Sequence, residues 1–158
     1  MIRCAGVIYS AKVGLTLKGR KASRGRRGAT SEDWNMRKIL LVDDQVLCRE
    51  PLAQALKQKG YETICANDGE HALVLLREMV RVRRLPDLMM LDVDMPAMDG
   101  LTLLRIVRRN PDYTQVPVIM LTGEACTRVV AHAAERRIQG YLLKHEMTID
   151  TIIEKIEE

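Results

Sequence analysis

At 158 residues the chain fits one ordinary domain, and with 47% hydrophobic residues, only 3% aromatic and no Phe, its core must be aliphatic. Charge is unevenly spread: residues 1–35 hold eight of the 25 Lys and Arg but only Glu32 and Asp33 of the 21 acids, so the remainder is slightly acidic. No apolar run approaches the ~20 residues that a membrane helix needs, and Cys4, Cys48, Cys65 and Cys126 lack zinc-ligand spacing, which excludes a zinc site and predicts reduced thiols in a cytoplasmic protein.

Residues 1–35 are expected to be a basic, disordered leader. The run Lys18-Gly-Arg-Lys-Ala-Ser-Arg-Gly-Arg-Arg27 offers almost nothing to bury. Met36 stands directly before the first clear strand, which leaves two readings open: an upstream extension ahead of a natural start at Met36, or a targeting or acid-binding tail. Nucleic acid contact has an electrostatic basis only in this leader.

From residue 36 to 158, short apolar runs alternate with amphipathic segments, the pattern of an α/β domain with a parallel sheet covered on both faces. The predicted strands are Lys38–Val42, Glu62–Ala66, Leu88–Leu91, Val116–Leu121 and Gly140–Leu143. Helical spacing joins Cys48, Leu52, Ala55 and Leu56, then Ala72, Leu75, Leu76 and Met79, then Leu101, Leu104 and Val107, and last Ile149, Ile152, Ile153 and Ile156. Asp68 and Asp99 are placed to cap the second and third helices, and Gly60 to end the first. Five βα repeats result.

Acidic side chains fall at the strand ends. Asp43 and Asp44 follow the first strand and Asp92 the third. Ligands of open α/β sheets bind beyond the carboxyl ends of strands, where strand order reverses. Adjacent first and third strands would bring the three carboxylates together, and such a cluster needs a cation to stay ionised. Mg²⁺ (or Mn²⁺) suits oxygen ligands and leaves positions for phosphate oxygens. Thr122 and Lys144 end two further strands on the same edge, adding a hydroxyl and an ammonium, the positioning and charge stabilisation that phosphoryl transfer requires.

Asp43-Asp44 after a strand, Pro86-Asp-Leu-Met-Met-Leu-Asp92-Val-Asp-Met-Pro-Ala-Met-Asp-Gly100, Leu121-Thr122-Gly123 and Tyr141-Leu-Leu-Lys144 together resemble the bacterial two-component response-regulator receiver family, over about residues 37–158. The resemblance implies a doubly wound, flavodoxin-like (βα)5 fold with strand order 2-1-3-4-5. It implies that Asp92 accepts a phosphoryl group from a sensor histidine kinase or phosphotransfer protein. Asp43, Asp44, Asp92 and the backbone carbonyl of Asp94 would hold Mg²⁺, with Thr122 contacting the phosphoryl group, Lys144 pairing with Asp92 or the phosphoryl group, and Tyr141 turning as a switch. The downstream partner would dock on the face of the fourth helix, fifth strand and fifth helix; Arg128, Arg136 and Arg137 near that helix read either as part of this docking face or as a solvated charged surface. Pro96 and Gly100 are expected to shape the turn beside the site.

This sequence departs from the family where proline usually follows the lysine: His145 stands there, leaving a cis or a trans Lys144–His145 bond open. Asp94 and Glu124 add acids that bear on the lifetime of a phosphoryl group. The expected function is a stand-alone, Mg²⁺-dependent signalling receiver that assists its own phosphorylation and dephosphorylation rather than an enzyme. The alternatives are a phosphorylation-independent binding module and a metal-dependent enzyme built around Asp92 and Asp94, for which about 120 residues leave no substrate or cap domain.

Overall fold

The computed structural model describes residues 37–123 and 138–157. The leader with the Met36 question, Glu124, and the fourth helix with Arg128, Arg136 and Arg137 lie outside the described residues. Five strands form one parallel sheet: β1 (Lys38–Val42), β2 (Glu62–Ala66), β3 (Leu88–Asp92), β4 (Val118–Thr122) and β5 (Gly140–Leu143), in the order β2-β1-β3-β4-β5 that the resemblance implied. Between them run α1 (Val46–Gln58), α2 (Gly69–Arg81) and α3 (Gly100–Arg109), and the chain closes with a 3-10 turn (Lys144–Glu146) and a C-terminal helix (Ile149–Glu157). Among the described residues no helix is long and apolar enough to cross a membrane.

Alternation along the strands splits the core in two. Leu40, Val42, Met89, Leu91, Val118 and Met120 point to one side, where α2 and α3 pack. Ile39, Leu41, Leu88, Met90, Ile119 and Leu121 point to the other, where Leu52, Ala53 and Leu56 of α1 meet Ile152 and Ile156 of the C-terminal helix. With both faces covered, the three central strands are buried along their whole length. That explains why they read as unbroken aliphatic runs.

Two strand limits differ from the prediction. β3 extends one residue to include Asp92, which pairs in register with Leu121. β4 starts at Val118 rather than Val116 and includes Thr122, opposite Leu143. Val116 is taken up by the preceding loop: its N–H donates to Tyr113 O at 3.1 Å, and its carbonyl accepts from Arg108 Nη1 at 2.8 Å. Pro117 then has no N–H for a ladder.

Helix caps follow the sequence. Asp68 accepts from His71 N at 2.7 Å, Asp99 accepts from Thr102 N at 2.6 Å, and Gly60 takes φ of 88° after α1. The inward face of α1 is turned from the predicted one: Arg49, Leu52, Ala53 and Leu56 are buried, whereas Cys48 is exposed and Ala55 half-buried. In the other helices Ala72, Leu76, Met79, Leu104, Val107, Ile152 and Ile156 are buried as expected, while Leu75, Leu101, Ile149 and Ile153 sit at the margins.

Candidate functional site

Sheet register builds the site. Val42 pairs with Leu91, so Asp43 and Asp92 emerge side by side where the chain reverses direction across the sheet. Both side chains are almost fully buried, at 1% exposure. Asp44 follows on the β1–α1 loop, half-buried, and the carboxylate oxygens of Asp43, Asp44 and Asp92 lie within 4.8 Å of one another. Asp43 is held at several atoms: its N–H donates to Ala66 O at 3.2 Å, Oδ1 accepts from Gln45 N at 2.8 Å and its carbonyl accepts from Arg49 Nη1 at 2.7 Å.

Lys144 closes the cluster. It follows β5 in the 3-10 turn, and its Nζ lies 2.8 Å from Asp43 Oδ2 and 2.9 Å from Asp92 Oδ2. No described peptide bond is cis, so Lys144–His145 is trans, and the lysine still reaches both acids. His145 is exposed, its Nε2 3.7 Å from Glu146 Oε1. Thr122 ends β4 beside them at 2% exposure, and Tyr141 in β5 is half-buried against the α2 and α3 side of the core. Asp94 is exposed, and its N–H donates to Asp92 Oδ1 at 3.4 Å.

Charge here is strained by burial. Desolvation raises the Asp92 carboxyl above its ordinary value, the bonded Lys144 ammonium opposes that rise, and the neighbouring Asp43 charge adds to it. Burial lowers Lys144, yet its bonds to Asp43 and Asp92 outweigh that and hold the ammonium above its usual range. One lysine for three carboxylates leaves the cluster short of positive charge, and Asp44 Oδ1 is buried with no hydrogen-bond partner. An orphaned carboxylate oxygen among oxygen donors fits a hard divalent cation.

The turn after β3 is shaped around this cluster. Met98 N donates to Pro96 O at 2.7 Å and Gly100 N to Val93 O at 3.0 Å, with Ala97 at φ of 62°. A Cβ on Gly100 would stand 1.9 Å from the carbonyl oxygen of Asp92. The sequence missed Arg49, whose burial at 6% exposure is unusual for an unbroken charge. Its signal was an arginine at the spacing Arg49, Leu52, Leu56, one position round from the thiol that was taken as core.

Comparison with known proteins agrees with this geometry. The family model described as response regulator receiver domain matches residues 39–157. A probable chemotaxis protein CheY of Rhizobium etli is 36% identical over 121 residues, which cover 76% of this chain and 89% of the relative. The solved structure of chemotaxis protein CheY4 of Vibrio cholerae superposes with a TM-score of 0.69 at 30% identity, covering 77% of this chain and 97% of that one. The Mn²⁺-bound form of response regulator Rcp1 gives 0.64 at 27%, covering 76% and 89%. Against curated transcriptional regulators the chain spans less than half of the relative, between 35% and 46% of its length. A parallel sheet in this order, three acids at its reversal point and a family match across 39–157 have one common reading: the chain belongs to the receiver domain family of two-component response regulators.

Proposed function

We propose that Asp92 accepts a phosphoryl group from the phosphohistidine of a sensor histidine kinase or phosphotransfer protein, in a reaction that depends on Mg²⁺ or Mn²⁺. The observation that carries this assignment is the Lys144 ammonium between Asp43 and Asp92, beside the orphaned Asp44 oxygen. An Asp92 carboxylate oxygen forms the new bond to phosphorus while the N–P bond breaks, and the imidazole leaves with the electron pair. The in-line displacement needs positioning and charge more than covalent machinery.

Asp43, Asp44, Asp92 and the Asp94 backbone carbonyl would hold the ion, which supplies positive charge to the phosphoryl oxygens. Lys144 shifts from the Asp92 carboxylate toward the phosphoryl group, and Thr122 donates its hydroxyl to a phosphoryl oxygen. Tyr141 turns inward after Thr122, biasing a two-state equilibrium. A downstream protein then reads the face of β5 and the C-terminal helix. Support for the metal comes from the Mn²⁺-bound Rcp1 structure. The match to 89% of a chemotaxis relative supports a receiver that signals by contact with another protein.

A phosphorylation-independent binding module would not need Lys144 to engage two buried acids, and the trans bond at His145 leaves that engagement intact. Incubation with labelled acetyl phosphate or a kinase and Mg²⁺ is expected to label the protein, and Asp92→Asn to abolish the label. Labelling that persists in that variant overturns the assignment. Beryllofluoride should give a Mg²⁺-dependent response, which a pure scaffold would lack.

A further inference from the structure

Arg49 carries a permanent charge into a site 6% exposed without the partners that normally compensate it. Its Nη1 donates to the Asp43 carbonyl at 2.7 Å, Nη2 stands 3.6 Å from Glu50 Oε1, which is mostly in solvent, and Nε is buried with no partner. Burying a permanent charge carries a desolvation cost that one hydrogen bond to a carbonyl does not offset, so fold maintenance alone does not account for an arginine here.

The Asp43 carbonyl belongs to the planar peptide unit that joins Asp43 to Asp44. Gripping that oxygen fixes the orientation of the unit and with it the direction in which the Asp44 side chain leaves the backbone. Asp43 has other anchors, from Gln45 N to its Oδ1 and from Lys144 Nζ to its Oδ2. Asp44 has a buried Oδ1 that nothing holds. Its aim toward the cluster therefore depends on the backbone, and the guanidinium holds the backbone from behind.

We infer that Arg49 is a positioning residue for the metal site: through the Asp43–Asp44 peptide it aims the Asp44 carboxylate at the divalent cation. This rests on the Mg²⁺-dependent reading above and extends it to a side chain that touches neither ion nor phosphoryl group. Losing an outer partner of a metal ligand typically weakens metal affinity 10- to 100-fold.

The experiment is calorimetric titration of the purified full chain with Mg²⁺ alone, alongside urea unfolding without metal. Arg49→Met should lower Mg²⁺ affinity about tenfold or more, while the variant still unfolds in one cooperative urea transition without metal. Arg49→Lys, which can still donate to the carbonyl, should recover most of the affinity. Affinity unchanged in Arg49→Met while the wild type binds Mg²⁺ overturns this inference alone, as does affinity lost equally in both variants. Should Arg49→Met fail to fold, Arg49→Lys against wild type still decides: near-native affinity supports the role, and a loss of tenfold or more overturns it. A wild type that takes up no Mg²⁺ overturns the proposed function itself, and this inference with it.

Discussion

Gly100 shows how one missing atom can govern a site. Its would-be Cβ meets the Asp92 backbone oxygen at 1.9 Å, and a carbonyl in the last residue of a central strand has nowhere to go. Gly100→Ala is expected to cost about 3 kcal/mol and to weaken Mg²⁺ binding. Gly123→Ala, with nothing within 4 Å of the new methyl, should stay within about 0.5 kcal/mol of wild type. Urea unfolding of the pair checks this, and equal losses would refute the close approach. The sequence assigned Gly100 to the turn correctly, but a contact with a carbonyl eight positions earlier depends on how the loop folds back. Asp43, Asp44, Asp92, Thr122 and Lys144 were legible because strand ends are marked by where aliphatic runs stop. Arg49 was not, because a charge in the first turns of a helix ordinarily faces water.

Helices and strands differed in how plainly they announced themselves. β1 and β2 matched their predicted limits, since each apolar run is closed by polar residues. β4 was misplaced by two residues because Val116 looks like strand yet spends its carbonyl on Arg108. Among the helices, α2 begins on a side-chain cap at Asp68, whereas α1 begins at Gln45 with no such bond. Asp68→Ala should cost about 1 kcal/mol, read as a lower urea midpoint with an unchanged slope, and labelling at Asp92 should persist because α2 contributes nothing to the acid cluster. The rotated face of α1 follows from Arg49 as well. With that arginine inward to reach Asp43, Cys48 is carried outward, although period and polarity alone favoured the thiol.

The domain as folded accepts a cost at its reversal point. Without metal, two carboxylates of 1% exposure share one lysine, and desolvation raises Asp92. The folded protein therefore binds that proton more tightly than the unfolded chain does. Stability falls as pH rises from the unfolded carboxylate value, about 4, through the raised folded value, and is level beyond it. Asp92→Asn removes the charge, so without metal it should be more stable than wild type by about 1 kcal/mol at neutral pH, roughly 4 °C in Tm. The gap should close as pH drops through that window. Saturating Mg²⁺ should reverse the order, since a ligand at a hundredfold excess over Kd contributes about 2.7 kcal/mol to the form that binds it. Thermal melts of both proteins across pH, with EDTA or Mg²⁺, test the sign, and a less stable metal-free Asp92→Asn would contradict it.

Lys144 springs from the outermost strand, passes over β4 and grips acids at the ends of β3 and β1. It works as a tether thrown across the top of the sheet, bypassing the backbone ladder. Whatever alters the electrical load at its inner end tugs directly on the outer margin of the sheet.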